Sequence, residues 1–228
     1  MIYMCWGIIL ACGKDEQFTS ETTTPFINLA GKPILTHVLT TFEHCSDIVG
    51  VLVVTDKTRL ESVMGMAQMF GLSKVKKVIA GYSTRQLSVQ AALKALDEEA
   101  NLVVVQEGSR PFVKAELISE VIKVAKRYGS GVAALPVLDA VKETRKGLTV
   151  AKSVTGGAFW IAHSPQAFRR DLLDKGLKAA SRKKVELADE SSALNLINAE
   201  VRLVESSPLN MRIRSSADFE LAMALLKG

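Results

Sequence analysis

The stretch best suited to chemistry is GIILACGK at residues 7–14, with PFINLAGKPIL following at residues 25–35. A short apolar run opened by Gly7 reads as a buried first strand, and the small residues Ala11, Cys12 and Gly13 let the backbone bend where it stops. Ligands in open α/β sheets collect at the carboxyl ends of the strands, so such a loop can turn its amides toward a phosphate. The same residues also describe an ordinary turn, and the loop alone does not separate the two. Nucleophilic and metal chemistry find less support. His37, His44 and His163 lie too far apart to suggest a serine triad, and Cys5, Cys12 and Cys45 lack metal-ligand spacing. An odd set of three cysteines points to buried, reduced thiols.

A chain of 228 residues, 48% hydrophobic and 23% charged, is long enough for one sizeable α/β domain, expected to span residues 1–228. No apolar run approaches the roughly 18 residues needed to cross a bilayer, and MIYMCWGIIL has no basic leader, so a cytoplasmic protein without membrane contact is expected. The net charge of +5 is scattered apart from short runs such as Arg182 to Lys184. That pattern suits a nucleotide phosphate better than nucleic acid.

The elements that must position the loop follow from periodicity. Helical spacing at 33–42, 60–71, 88–100 and 115–128 alternates with β-rich runs at 48–55, 75–80, 102–105 and 132–137. Such alternation predicts a mostly parallel sheet covered by helices on both faces. The rhythm breaks at 138–158, polar and β-leaning, which suits a protruding hairpin. SPQAF, a helix through Leu172 and Leu177, a helix from Glu190, a strand at 201–205 and a helix at 217–226 complete the chain. Met64, Met66 and Met69 are expected to fill core space.

GIILACGK, PFINLAGKPIL, STRQLSV, VVVQEGSRPFV, PVLDAVK, SPQAF, ADES and NMRIRSSADFELAMALL occur in the order and approximate spacing of the 2-C-methyl-D-erythritol 4-phosphate cytidylyltransferases, sister ribitol 5-phosphate enzymes included. The chain resembles that family over nearly its whole length. The resemblance implies a Rossmann-like three-layer nucleotidyltransferase fold and a homodimer joined through a β-arm at residues 138–159. It also implies transfer of CMP from CTP to a polyol phosphate in isoprenoid precursor synthesis, with magnesium as the cofactor. By the same resemblance, Arg212 stands at a lysine that contacts phosphate and is a catalytic cation; Lys14 is expected to be a second, offsetting the acids that follow it. Ala11, Cys12, Gly13, Gly81, Arg85, Ser88 and Gly108 bind the nucleotide, Asp139, Ser164, Arg110 and Asp189 meet the acceptor, and Glu107 lies at the metal. The chemistry needs no nucleophilic side chain: an acceptor phosphate attacks the α-phosphorus of CTP, and the site supplies position and positive charge.

The sequence also departs from the pattern. Where the family loop reads Ala-Ala-Gly-x-Gly-x-Arg, this chain has Asp15 at the second glycine and Gln17 at the arginine. Phe26 stands at a catalytic lysine, Ala140 at a substrate-binding threonine, and Gly156 near a phosphate-binding arginine. Tyr82 replaces a glycine beside the base, and Glu107 replaces an aspartate. Carboxylates beside a triphosphate oppose its binding by roughly a kcal/mol each near a surface. Three readings stay open: an active cytidylyltransferase with a diverged site, a relative that keeps the fold for binding or regulation, and a nucleotidyltransferase for another nucleotide or acceptor.

Overall fold

The computed structural model describes residues 3–13, 18, 22–154 and 159–227. Strand β1 (Met4–Ala11) is followed by a two-residue ladder, β2 (Asn28–Leu29) with β3 (Lys32–Pro33), and then by α1 (Ile34–His44). Next come β4 (Gly50–Thr55), α2 (Leu60–Met69), β5 (Val75–Ala80), α3 (Arg85–Ala95), β6 (Ala100–Glu107), α4 (Ala115–Tyr128) and β7 (Ser130–Pro136). A hairpin of β8 (Val141–Thr144) and β9 (Val150–Val154) leads into β10 (Trp160–Arg169), α5 (Arg170–Lys183), α6 (Glu190–Asn195), β11 (Leu203–Glu205) and α7 (Ser216–Leu225). Seven strands form one sheet in the order β11-β7-β10-β6-β1-β4-β5. The neighbouring pairs are parallel except that β10 runs against both β6 and β7.

The chain steps from β1 outward to β4 and β5, then crosses back to the other side of β1 at β6. Such a reversal opens a crevice at the carboxyl ends of the two strands, here between Ala11 and Glu107. Strand alternation sorts the core onto two faces. Cys5, Ile9 and Ala11 pack with α1, α2 and α4, whereas Trp6, Ile8 and Leu10 pack with α3, α5 and α6. A smaller cluster of Leu29, Ile34, Ile213 and Ala222 docks α7 onto the β2–β3 ladder.

The three-layer, mostly parallel architecture agrees with the alternation, while several boundaries differ. The helix expected at 88–100 starts at Arg85, because the Thr84 hydroxyl accepts the Leu87 amide and caps it there. It ends at Ala95, and Ala100 opens β6 instead. Residues 160–169, for which periodicity offers no strand, form β10. Pro165 is accommodated where the β10–β7 register shifts between Ala162 and Gln166, a place that tolerates a missing amide hydrogen. Met64 and Met66 pack against the core as expected, but Met69 is 80% exposed at the end of α2. The hairpin projects with Leu138 and Leu148 almost fully exposed. Among the described residues no helix is long and apolar enough to cross a membrane.

Candidate active site

Two glycines bring neighbouring loops against the end of β1. The Gly108 amide donates to the Leu10 carbonyl at 2.7 Å, and a Cβ on Gly108 would stand 2.9 Å from that oxygen. At Gly81, after β5, a Cβ would come within 2.3 Å of the Cys12 sulfur. At Gly108 the neighbour is backbone and the residue type follows from the approach itself, whereas at Gly81 the neighbour is a thiol that can turn aside. Ser88, buried one turn into α3, accepts the Tyr82 amide at 2.9 Å and ties the post-β5 loop to that helix. Between these parts lies a cavity of about 630 Å³, lined by Cys12, Gly13, Tyr82, Arg85, Ser88 and Lys184 among others. Its size suits a nucleoside. A second cavity, of about 600 Å³, lies beside Arg170 at the other end of the sheet. There the Arg170 guanidinium already donates to the carbonyls of Leu93, Leu96, Asp97 and Ala100, which accounts for it as an inter-element clasp.

Across the crevice, Glu107 ends β6 in a cage of guanidiniums. Its Oε1 faces Arg85 at 3.2 Å and Arg212 at 3.0 Å, and its Oε2 accepts from Arg110 Nε at 2.5 Å and from the Ser164 hydroxyl at 3.3 Å. The Ser164 oxygen in turn accepts the Glu107 amide at 3.1 Å. Burial pushes the carboxyl up, but Arg110, Arg85 and Arg212 outweigh it and hold Glu107 at about 2. Arg110 also donates to the Asn210 carbonyl at 2.7 Å, and the Asn210 amide group donates to the Ser164 carbonyl at 2.8 Å. Ile213 completes the closure by donating its amide to the Ser109 carbonyl at 3.0 Å. Burial and the nearby Arg110 push the His163 imidazole down to about 4, so it is neutral at pH 7.

The candidate residues thus fall into two groups. Ala11, Cys12, Gly13, Gly81, Ser88 and Gly108 meet around the cavity and the end of β1. Arg110, Ser164 and Arg212 converge on Glu107, and Arg85 joins the groups by donating to Glu107 and, at 2.8 Å through two nitrogens, to the buried Glu190. Asp189, expected at the acceptor, caps α6, accepting from the Ser192 amide, the Ser191 and Ser192 hydroxyls and Gln166. Asp139 and Ala140 are exposed at the base of the hairpin. Lys14, Asp15, Gln17 and Gly156 lie outside the described residues. Residue pattern alone gives Glu190, Asn210 and His163 no role. Glu190 stands directly after Asp189 in ADES and Asn210 opens the NMRIR segment, so both sat inside stretches already singled out.

Glu107 was expected at a metal, and its surroundings do not fit one. Both of its oxygens are engaged by cationic or hydroxyl donors, and the neighbouring Glu190 is held by Arg85. Among the described residues no group of three His, Cys, Asp or Glu side chains is arranged to hold a metal ion. The donor set is that of a buried ion cluster in which three guanidiniums share two carboxylates.

Comparison with known proteins gives one consistent result. The family model for 2-C-methyl-D-erythritol 4-phosphate cytidylyltransferase matches residues 5–228. A protein of that name from Halalkalibacterium halodurans is 31% identical over 219 residues, covering 96% of this chain and 95% of the relative. A bifunctional IspD/IspF enzyme from Desulfotalea psychrophila is 33% identical over 96% of this chain, which corresponds to 56% of that longer protein. Among solved structures, the 2-C-methyl-D-erythritol 4-phosphate cytidylyltransferase of Thermus thermophilus superposes with a TM-score of 0.77 at 28% identity, covering 97% of this chain and 98% of the other. The 4-diphosphocytidyl-2C-methyl-D-erythritol synthase of Anaerococcus prevotii shares the fold with a TM-score of 0.86 at 23% identity, over 99% and 97% of the two chains. On this full-length match, the chain belongs to the 2-C-methyl-D-erythritol 4-phosphate cytidylyltransferase family.

Proposed function

We propose that the protein transfers CMP from CTP to 2-C-methyl-D-erythritol 4-phosphate, or to a similar polyol phosphate, and releases pyrophosphate. The observation that carries this reading is the nucleoside-sized cavity at the end of β1, walled by Gly13 and Ser88, in a chain that matches the family throughout. An acceptor phosphate oxygen forms a bond to the α-phosphorus of CTP while the bond to the bridging oxygen breaks. The leaving charge departs on pyrophosphate. In this reading the loop at Ala11, Cys12 and Gly13 orients the phosphates, Ser88 fixes the post-β5 loop at the base, and Lys14 and Arg212 supply charge. Magnesium, if required, would neutralise charge on the polyphosphate, and the residues around Glu107 build no site for it.

The reading carries further parts. Residues 1–228 act as one domain in the cytoplasm, without nucleic-acid or membrane partners, and the arm at 138–159 joins two copies. A two-stranded arm is marginal alone, and Leu138 and Leu148 are exposed on it. Light scattering at micromolar concentration should give a dimer; a monomer would refute the arm assignment. The decisive assay is pyrophosphate release from CTP with methylerythritol and ribitol phosphates, set beside a CTP titration. Release with either acceptor supports the transferase.

One observation favours a second reading, a nucleotide-binding relative without turnover. Arg85, Arg110 and Arg212 are all engaged with Glu107, and Phe26 and Ala140 replace a lysine and a threonine that the family resemblance implies. CTP binding without pyrophosphate release would select it.

A further inference from the structure

Phosphoryl chemistry at the end of β1 needs positive charge that is not already engaged in internal ion pairs. Arg85, Arg110 and Arg212 all face Glu107. Arg59 does not. It closes the 3-10 turn Lys57–Arg59 that follows β4, and β4 pairs with β1 up to the register Ala11↔Thr55. The turn therefore rises beside the loop that leaves β1 at Cys12 and Gly13. Among the described residues no carboxylate forms an ion pair with Arg59; its guanidinium carbon instead lies 4.3 Å from the centre of the Phe26 ring.

That ring is a fixed platform. Phe26 ends the 3-10 turn Thr24–Phe26, donates its amide to the Thr23 carbonyl at 3.1 Å and packs against the core shared by α1 and α2. An arginine on a surface turn ordinarily samples many rotamers in water. Stacked on an aromatic face it keeps one position, and the edge of the guanidinium stays open for hydrogen bonds to phosphate oxygens. The stack also bridges the loops that follow β1 and β4, the two strands whose ends flank the phosphate track.

We propose that Arg59, seated on the Phe26 ring, binds the polyphosphate of the nucleotide and adds a cation outside the cage to the charge that Lys14 and Arg212 supply. The inference rests on the cytidylyltransferase reading, and it assigns the aromatic residue at position 26 a purpose: to carry a cation that arises from another loop.

The test uses the full chain with Arg59→Met, which keeps length and apolar stacking, and Arg59→Lys, which keeps charge. Calorimetry with cytidine, CMP, CTP and tripolyphosphate, and pyrophosphate release, are measured for each. Arg59→Met should weaken CTP and tripolyphosphate by about tenfold and leave cytidine within about twofold, as expected for one partly screened cation. Arg59→Lys should fall between. Adding Phe26→Lys to Arg59→Met should recover part of the CTP affinity, which a merely structural role for Arg59 would not allow. Unchanged CTP and tripolyphosphate binding in Arg59→Met, or an equal loss for cytidine, overturns the inference while a transferring wild type leaves the function standing. A wild type that binds neither CTP nor tripolyphosphate and releases no pyrophosphate overturns both.

Discussion

The cavity beside Gly13 and Ser88 and the Glu107 cluster sit on either side of the end of β1, yet they are built on opposite principles. The cavity is open and bounded largely by backbone, with Gly13 in its lining, Gly81 pressed against Cys12 and Ser88 holding a neutral hydrogen bond. The cluster is buried and ionic, and each of its charges has an internal partner. The difference teaches where ligand energy can come from. A cavity of neutral donors and acceptors loses little by exchanging water for a base, whereas a closed cage must give up contacts of its own before it can grip an added phosphate. Base recognition should therefore be robust here, and phosphate recognition dependent on charge outside the cage.

The strongest way to break this contrast is Glu107→Gln. Removing the anion leaves three guanidiniums facing one another with little water, and deleting one partner of a buried ion pair typically costs about 3–5 kcal/mol. In a chain of this size, thermal unfolding should shift down by roughly 10 °C. Cytidine affinity should stay within about twofold. A wild-type melting temperature would show that the cage contributes nothing to stability, and a lost cytidine site would show that the two regions are one.

Acid sharpens the same comparison. Glu107 is held at about 2, below the ordinary 4.5, so the unfolded chain takes up this proton first. Its stabilisation is complete above about pH 4.5 and is lost as pH falls through 2, for a total on the order of 3 kcal/mol. His163 behaves in the neighbouring window. Its imidazole is lowered from 6.5 to about 4, so the unfolded state binds the extra proton between those values and stability declines across them as pH falls. Denaturant unfolding at a series of pH values should show both limbs. His163→Asn should flatten the upper one and Glu107→Gln the lower, and a profile unaltered by either change would mean the cluster does not titrate with folding.

The smallest effect belongs to the cavity. Ser88→Ala leaves the Tyr82 amide without its acceptor, a loss of about 1 kcal/mol, and should weaken cytidine and CMP by roughly fivefold. Isothermal titration measures it directly. If CTP alone weakened, Ser88 would be acting on the phosphates and not on the base side.

Much of the scaffold was legible from the sequence because periodicity reports burial. Helix 115–128 and strand 75–80 appear at their expected bounds, each a run whose apolar spacing admits one reading. The start of α3 was displaced because a cap, not an apolar residue, sets it at Thr84. Strand β10 escaped notice because Trp160 to His163 mix exposed and partly buried positions and Pro165 argues against a strand. At the candidate site, residue types single out Arg85, Arg110 and Arg212, but no one-dimensional pattern shows that they meet on one carboxylate. Nor does the motif ADES show that Asp189 caps a six-residue helix.

The hydrogen bond from Ile213 to Ser109 has a consequence for how the molecule is made. Arg212 reaches Glu107 only when the segment leading into α7 is tied to the loop after β6, although the two residues are separated by most of the second half of the chain. A nascent chain emerging amino end first can lay down β1, β4, β5 and β6 long before Arg212 exists. Until then Glu107 has at most two of its three guanidiniums. The Glu107 cage is thus completed late in synthesis, well after the strands that carry it have emerged.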